Sequence, residues 1–204
     1  GQLAALAVAV AQPISDAAGG WLGDSGSAAV LVVDNSYSMA AGRDGRSRFA
    51  IASSEASDLL NGETKPAMAS VLPSAGPGGE SVVTAQLDTQ RKQLAATRIY
   101  FGRPAVDRQF ARAIDLLADE SNPKKAVYLF TDLQRASMES LLALPNIERL
   151  GDAYMFVVNV APKPADNVGV MELTMRGKAI VDSPIEFQAV LKNSSATARN
   201  VEIA

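Results

Sequence analysis

Asp34, Ser36 and Ser38 stand at alternate positions directly after the apolar run Val30-Leu31-Val32-Val33. One carboxylate and two hydroxyls offer only oxygen. That donor set suits a hard divalent cation, Mg²⁺ or Mn²⁺; Mg²⁺ in particular keeps several waters and takes only one or two carboxylates. A second acid occupies the equivalent place later in the chain, where Asp132 follows Ala126-Val127-Tyr128-Leu129-Phe130-Thr131. Asp-x-Ser-x-Ser is by itself a common combination, and Asp34 and Ser36 would equally serve to cap a loop or the next helix. Two apolar runs that each end on an acid are what a shared cation site requires.

Other chemistries lack their residues. The chain has no His and no Cys. A Ser-His-Asp triad, an HExxH zinc site, a thiolate nucleophile and a zinc–sulfur site are therefore all excluded. A formal net charge of −3 and a pI near 5.1, with no basic run, argue against a nucleic-acid partner. Hydrophobic residues at 48% and charged residues at 20% describe a globular chain.

The elements that position Asp34 and Asp132 follow from the pattern. Continuous, largely β-branched runs without alternation belong to strands buried on both faces of a parallel sheet. In such sheets the ligand crevice lies outside the carboxyl ends of the strands, which places Asp34, Ser36 and Ser38 on a loop facing it. Phe49, Ala52, Ala56, Leu59 and Leu60 recur at helical spacing, as do Val106, Phe110, Ala113, Ile114 and Leu117. Residues 86–97 read as a further helix, with Leu87 and Leu94 inward and a polar remainder, including Arg91 and Lys92, as a solvated face. Strands are expected at 66–72 and 154–160, and a short helix at 137–144 before Pro145. Alternation of this kind over 28–160 predicts an α/β fold, a Rossmann-like, mostly parallel sheet flanked by helices.

Both ends differ from this middle. Leu3 to Ala11 form an uncharged apolar run, shorter than the about twenty residues of a membrane span. A signal-peptide core, a buried helix and the end of a transmembrane helix over 1–13 are the three readings, and the last is favoured. A Gly-, Asp- and Ser-rich linker then covers 14–27. Beyond the Pro-rich stretch 161–166, Ile185, Phe187, Ala189 and Leu191 alternate with polar neighbours, and a further strand is expected at 200–203. Residues 165–204 fall short of the ~100 of a complete sandwich and read as a truncated all-β domain.

Val32-Val33-Asp34-Asn35-Ser36-Tyr37-Ser38-Met39, together with Tyr128-Leu129-Phe130-Thr131-Asp132, resembles the von Willebrand factor type A (vWA) domain with its metal-ion-dependent adhesion site (MIDAS). The resemblance covers about residues 27 to 161, a domain over 28–161. It implies that Asp34, Ser36 and Ser38 form the first motif, that Asp132 is the acid of the last, and that an acidic side chain of a protein partner completes the coordination of Mg²⁺. The family's threonine ligand has no counterpart, since residues 102–108 contain neither Thr nor Ser; Asp107 is the oxygen-bearing residue there.

An apolar segment, a short linker and then this domain look like the BatA-like membrane-anchored proteins of bacteria. That likeness implies a bacterial cell membrane, on a side the sequence does not set, and partners such as a MoxR-type AAA+ ATPase or other membrane vWA proteins. The 165–204 segment resembles the opening strands of an immunoglobulin-like domain. Three functions follow. The preferred one is a cation-dependent protein–protein interaction module. The second is a metal-free scaffold whose site has decayed, consistent with the missing threonine. The third is a metal-dependent phosphotransferase, but enzymes of the haloacid dehalogenase type carry Asp-x-Asp where this chain has Asp-x-Ser. Neither a general base nor a Gly-rich phosphate loop accompanies it, so the chain is read as a non-enzyme.

Overall fold

Ser27–Val33 forms a seven-residue strand, β2, in which every residue is buried. Its odd and even positions serve opposite faces, as the pleat requires. Ala29, Leu31 and Val33 pack into one apolar cluster, and Ala28, Val30 and Val32 into another. The computed structural model describes residues 6–10, 26–43, 45–76, 81–102, 105–133, 141, 144, 147–151, 153–161, 168–176 and 186–193. The chain divides into two units, Gly1–Pro162 and Lys163–Ala204.

In the first unit β2 lies inside a five-stranded sheet of order β1-β7-β6-β2-β5. Its other strands are β1 (Leu6–Val10), β5 (Met68–Pro73), β6 (Lys124–Thr131) and β7 (Tyr154–Asn159). Every pairing in it is parallel. The two-residue strands β3 (Gly42–Arg43) and β4 (Arg46–Ser47) make a separate antiparallel hairpin. Helices α1 (Arg48–Asn61) and α2 (Leu87–Ala96) contribute Ala52, Ala56, Leu60, Leu87 and Leu94 to the first cluster. Helix α3 (Val106–Ala118) covers the other face with Val106, Phe110, Ala113, Ile114 and Leu117. The expected helical spacings and the mostly parallel, doubly covered sheet are thus present. Tyr128 stacks on Phe156 at 4.8 Å between centroids, and its buried hydroxyl has no hydrogen-bond partner among the described residues. Burial pushes that phenol well above its ordinary range, so it stays neutral.

Two expectations change. The apolar segment expected as a membrane-helix end is instead, over Leu6–Val10, a strand paired in parallel with β7 from Met155 to Asn159. Leu-Ala-Val-Ala-Val carries β-branched residues at Val8 and Val10, and the edge of β7 offers it a full ladder of backbone partners. No helix among the described residues is long and apolar enough to cross a membrane.

The polar remainder of α2 also does more than face solvent. Gln90 is buried and accepts from the Val71 N–H at 2.8 Å, while Gln93 Nε2 donates to the Val71 carbonyl at 2.9 Å. Arg91 donates to the Leu60 carbonyl at the end of α1. One residue pair earlier, Ala69 exchanges both backbone hydrogen bonds with Thr84. The outer side of β5 is therefore served by a bridge and two glutamines. Gln90→Leu keeps a similar volume but leaves the Val71 N–H without an acceptor, an expected loss of about 1–3 kcal/mol in urea unfolding. A midpoint unchanged from the parent would show that the glutamine adds nothing there.

The second unit pairs β8 (Val168–Arg176) with β9 (Glu186–Asn193) in an antiparallel ladder, with an irregularity between Val170 and Glu172. Of the expected 14–27 linker, Ser27 instead opens β2, and residues 14–25, most of the 137–144 helix and the 200–203 strand lie outside the described residues.

Candidate functional site at the strand ends

Parallel register lines up the residues that follow β2, β5 and β6. Val33 is opposite Pro73 on one side and Phe130 on the other, so Asp34, Ser74 and Thr131 come next in one row. The Asp34 N–H donates to the Phe130 carbonyl and the Ser74 N–H to the Val33 carbonyl, both at 2.9 Å. All three side chains are buried and meet at one carboxylate. Asp34 Oδ1 accepts from the Ser74 hydroxyl and from the Ser36 N–H, each at 3.0 Å. Its Oδ2 accepts from the Thr131 hydroxyl at 3.0 Å.

The loop then turns outward. Tyr37–Ala40 forms a 3₁₀ turn, pinned by the fully buried Met39 and closed by the Met39 N–H on the Ser36 carbonyl. This turn folds Ser38 back over Ser36, and their Oγ atoms lie 3.1 Å apart. Neighbouring ligands of an octahedral Mg²⁺ with bonds of 2.0–2.1 Å are about 3.0 Å apart. The two hydroxyls thus have the spacing of adjacent ligands, on a loop whose Ser36 N–H is held by the Asp34 carboxylate.

Asp132 reaches the same place from β6 but holds a different cation. Its Oδ2 accepts from Arg48 Nη1 at 2.7 Å, with the acid side chain 1% and the arginine 16% exposed. The same nitrogen lies 3.4 Å from the Ser38 carbonyl. Arg48 is placed there by the β3–β4 hairpin. A Cβ on Gly42 would fall 2.0 Å from the Arg46 carbonyl oxygen, so only glycine lets the two short strands close. Ser47 then caps α1 by accepting from the Ala50 N–H, and Arg48 opens the helix.

The structure thus brings together Asp34, Ser36 and Ser38, and joins Asp132 to them through Arg48. Asp107 is exposed on the first turn of α3 and makes no hydrogen bond to any of the four. The backbone just before it does approach, since the Ala105 N–H donates to the Ser74 carbonyl at 3.0 Å. Among the described residues no three acidic side chains come together as a metal-binding group, so a cation here would rest chiefly on hydroxyls.

Sequence reasoning missed four residues. Ser74 and Thr131 had a readable signal, each being the first hydroxyl at or after the end of a buried run. Arg48 had none, since its partner lies 84 positions away. The fourth is Asn35, which is 3% exposed and clamps three segments. Its Nδ2 donates to the carbonyls of Ala75 at 3.0 Å and Arg98 at 2.8 Å, and its Oδ1 accepts from the Ala75 N–H at 2.8 Å. Its backbone N–H donates to the Ser74 hydroxyl, and its carbonyl accepts from the Tyr100 N–H.

Tyr37 and Phe101 stand beside this loop, 66% and 77% exposed, with ring centroids 5.5 Å apart. Comparison with protein-family models and with curated proteins finds no match to this chain.

Proposed function

We propose that the 28–161 domain is a vWA-type protein–protein interaction module whose strand-end loop holds Mg²⁺ or Mn²⁺ for an acidic partner residue to complete. The observation that carries it is the 3.1 Å spacing of the Ser36 and Ser38 hydroxyls over the buried Asp34. Few anionic ligands leave such an ion with positive charge that a partner carboxylate neutralises. The exposed Tyr37–Phe101 pair supports a protein as that partner, since aromatic residues are enriched in the cores of protein interfaces. Both Asp34 oxygens already accept hydrogen bonds, which favours a binding role over a nucleophilic one.

The family resemblance adds a bacterial membrane setting and a MoxR-type AAA+ ATPase or another membrane vWA protein as partners. For residues 165–204, the antiparallel pairing of β8 with β9 supports reading them as the opening strands of an immunoglobulin-like domain.

A second reading has its own observation. The Arg48 guanidinium already gives Asp132 a counter-charge, which suits a metal-free scaffold. Thermal unfolding in EDTA and then in millimolar Mg²⁺ separates the two. An ion that binds only the folded state stabilises by about 2.7 kcal/mol at a hundredfold excess over Kd. The parent is expected to gain this and a Ser36→Ala/Ser38→Ala variant to lose it. Equal midpoints with and without the ion in the parent would make the scaffold the better reading.

A further inference from the structure

A second concave site lies beside the Asp34 loop. It is a cavity of about 440 Å³ between α2 and α3, at the carboxyl end of β5. Leu72 and Ile99 supply apolar wall, and Arg98, Tyr100, Gln109 and Arg112 supply polar groups. Among the described residues no acid lines it, so no described carboxylate faces its two guanidinium groups across the space. Clefts of roughly 300–1,000 Å³ with apolar walls and a few convergent polar groups are where small ligands bind.

The two arginines differ in their state. Arg98 is tied down, its Nη1 donating to the Ala95 carbonyl at 2.6 Å and the Thr97 carbonyl at 2.9 Å, at the end of α2. Arg112 is half-buried on α3 and makes no hydrogen bond or ion pair with any described residue. The acids one and two turns further along its helix, Asp115 and Asp119, are paired with Arg149. A half-buried guanidinium without a counter-charge is unfavourable, and a bound oxyanion would relieve that. Tyr100 is held against the backbone because residue 102 is glycine, where a Cβ would lie 2.3 Å from the Tyr100 ring.

We propose that this cavity binds a small organic oxyanion, a carboxylate or phosphate monoester carried on an apolar body. Its anionic group bonds to Arg112, with Gln109 and Tyr100 as further donors. The apolar body rests on Leu72 and Ile99. The site is separate from the cation site: Asn35 forms part of its wall, but Asp34, Ser36, Ser38 and Asp132 do not.

Phenyl phosphate and benzoate serve as probes for the two oxyanions, titrated into the whole ¹⁵N-labelled chain and followed by amide shifts. Saturable shifts are expected in residues 97–100 and 109–112 with at least one probe. Loss of a charge-assisted hydrogen bond in Arg112→Gln should weaken binding about tenfold or more. Ser36→Ala should leave it unchanged. Response to phenyl phosphate alone identifies a phosphate site, and response to both identifies a general oxyanion site. No saturable shift with either probe at millimolar concentration would overturn the proposal. So would shifts elsewhere only, or equal affinity in a folded Arg112→Gln variant.

Discussion

Asn35→Ala is expected to lower the unfolding free energy by about 3–5 kcal/mol, among the largest effects of any single substitution near the site. The amide uses its whole capacity: two N–H groups donate to the carbonyls of Ala75 and Arg98, and the oxygen accepts from the Ala75 N–H and the Ser74 hydroxyl. This network also fixes which way the amide points, because a flip would set oxygen against two carbonyls and N–H against N–H. Alanine leaves three backbone groups without that partner. Each such group costs about 1–3 kcal/mol, and partial relaxation keeps the total below the sum.

Asn35→Asp, which has the same shape, supplies the sharper comparison. It keeps the acceptor for the Ala75 N–H but sets a second carboxylate oxygen against two carbonyls, next to Asp34. It should be no better than alanine. Urea unfolding with amide exchange at residues 75 and 98 reads both variants. A cost under about 1 kcal/mol for alanine would mean that the three segments hold together without the clamp.

Arg48→Met is the second large effect. Methionine replaces the aliphatic stem and deletes the charge, while the Asp132 side chain stays 1% exposed. Removing one partner of a buried pair typically costs about 3–5 kcal/mol, because the remaining charge keeps its desolvation penalty without that compensation. Adding Asp132→Asn to the same chain should recover much of the loss, and the double-mutant cycle isolates the pair. The same variant also bears on the cation. If Arg48 and Mg²⁺ compete for Asp132, the ion should stabilise Arg48→Met more than it stabilises the parent. If Mg²⁺ leaves Arg48→Met unchanged, the guanidinium is a permanent fixture of a scaffold.

The row Asp34, Ser74, Thr131 shows what could be read from sequence. Asp34 and Asp132 were legible as neighbours because parallel strands all finish at one edge of a sheet. Two buried runs ending on acids therefore converge whatever lies between them. Ser74 offered a weaker signal, a hydroxyl following a buried run but set in a Gly- and Pro-rich stretch, and register, with Val33 opposite Pro73, places it beside Asp34. Asn35 and Arg48 were out of reach because their partners are carbonyls and a carboxylate brought near by the tertiary fold. Nothing in the residue type announces such a partner. Leu6–Val10 misled for a related reason, since alternating alanine and valine carries almost no amphipathic period. The open side of β7 decided its conformation.

The treatment of β5 has a consequence beyond stability. A sheet edge with free N–H and C=O groups is a template on which another chain, or another copy of the same chain, extends the sheet; such growth leads to swapped dimers and amyloid. On β5 the outward groups of Ala69 are engaged by Thr84, and those of Val71 by Gln90 and Gln93. An incoming strand would have to break those bonds before forming its own. That side of the sheet is closed to polymerisation, and a protein that recognises this domain is directed away from β-augmentation there and toward the loops above the strand ends.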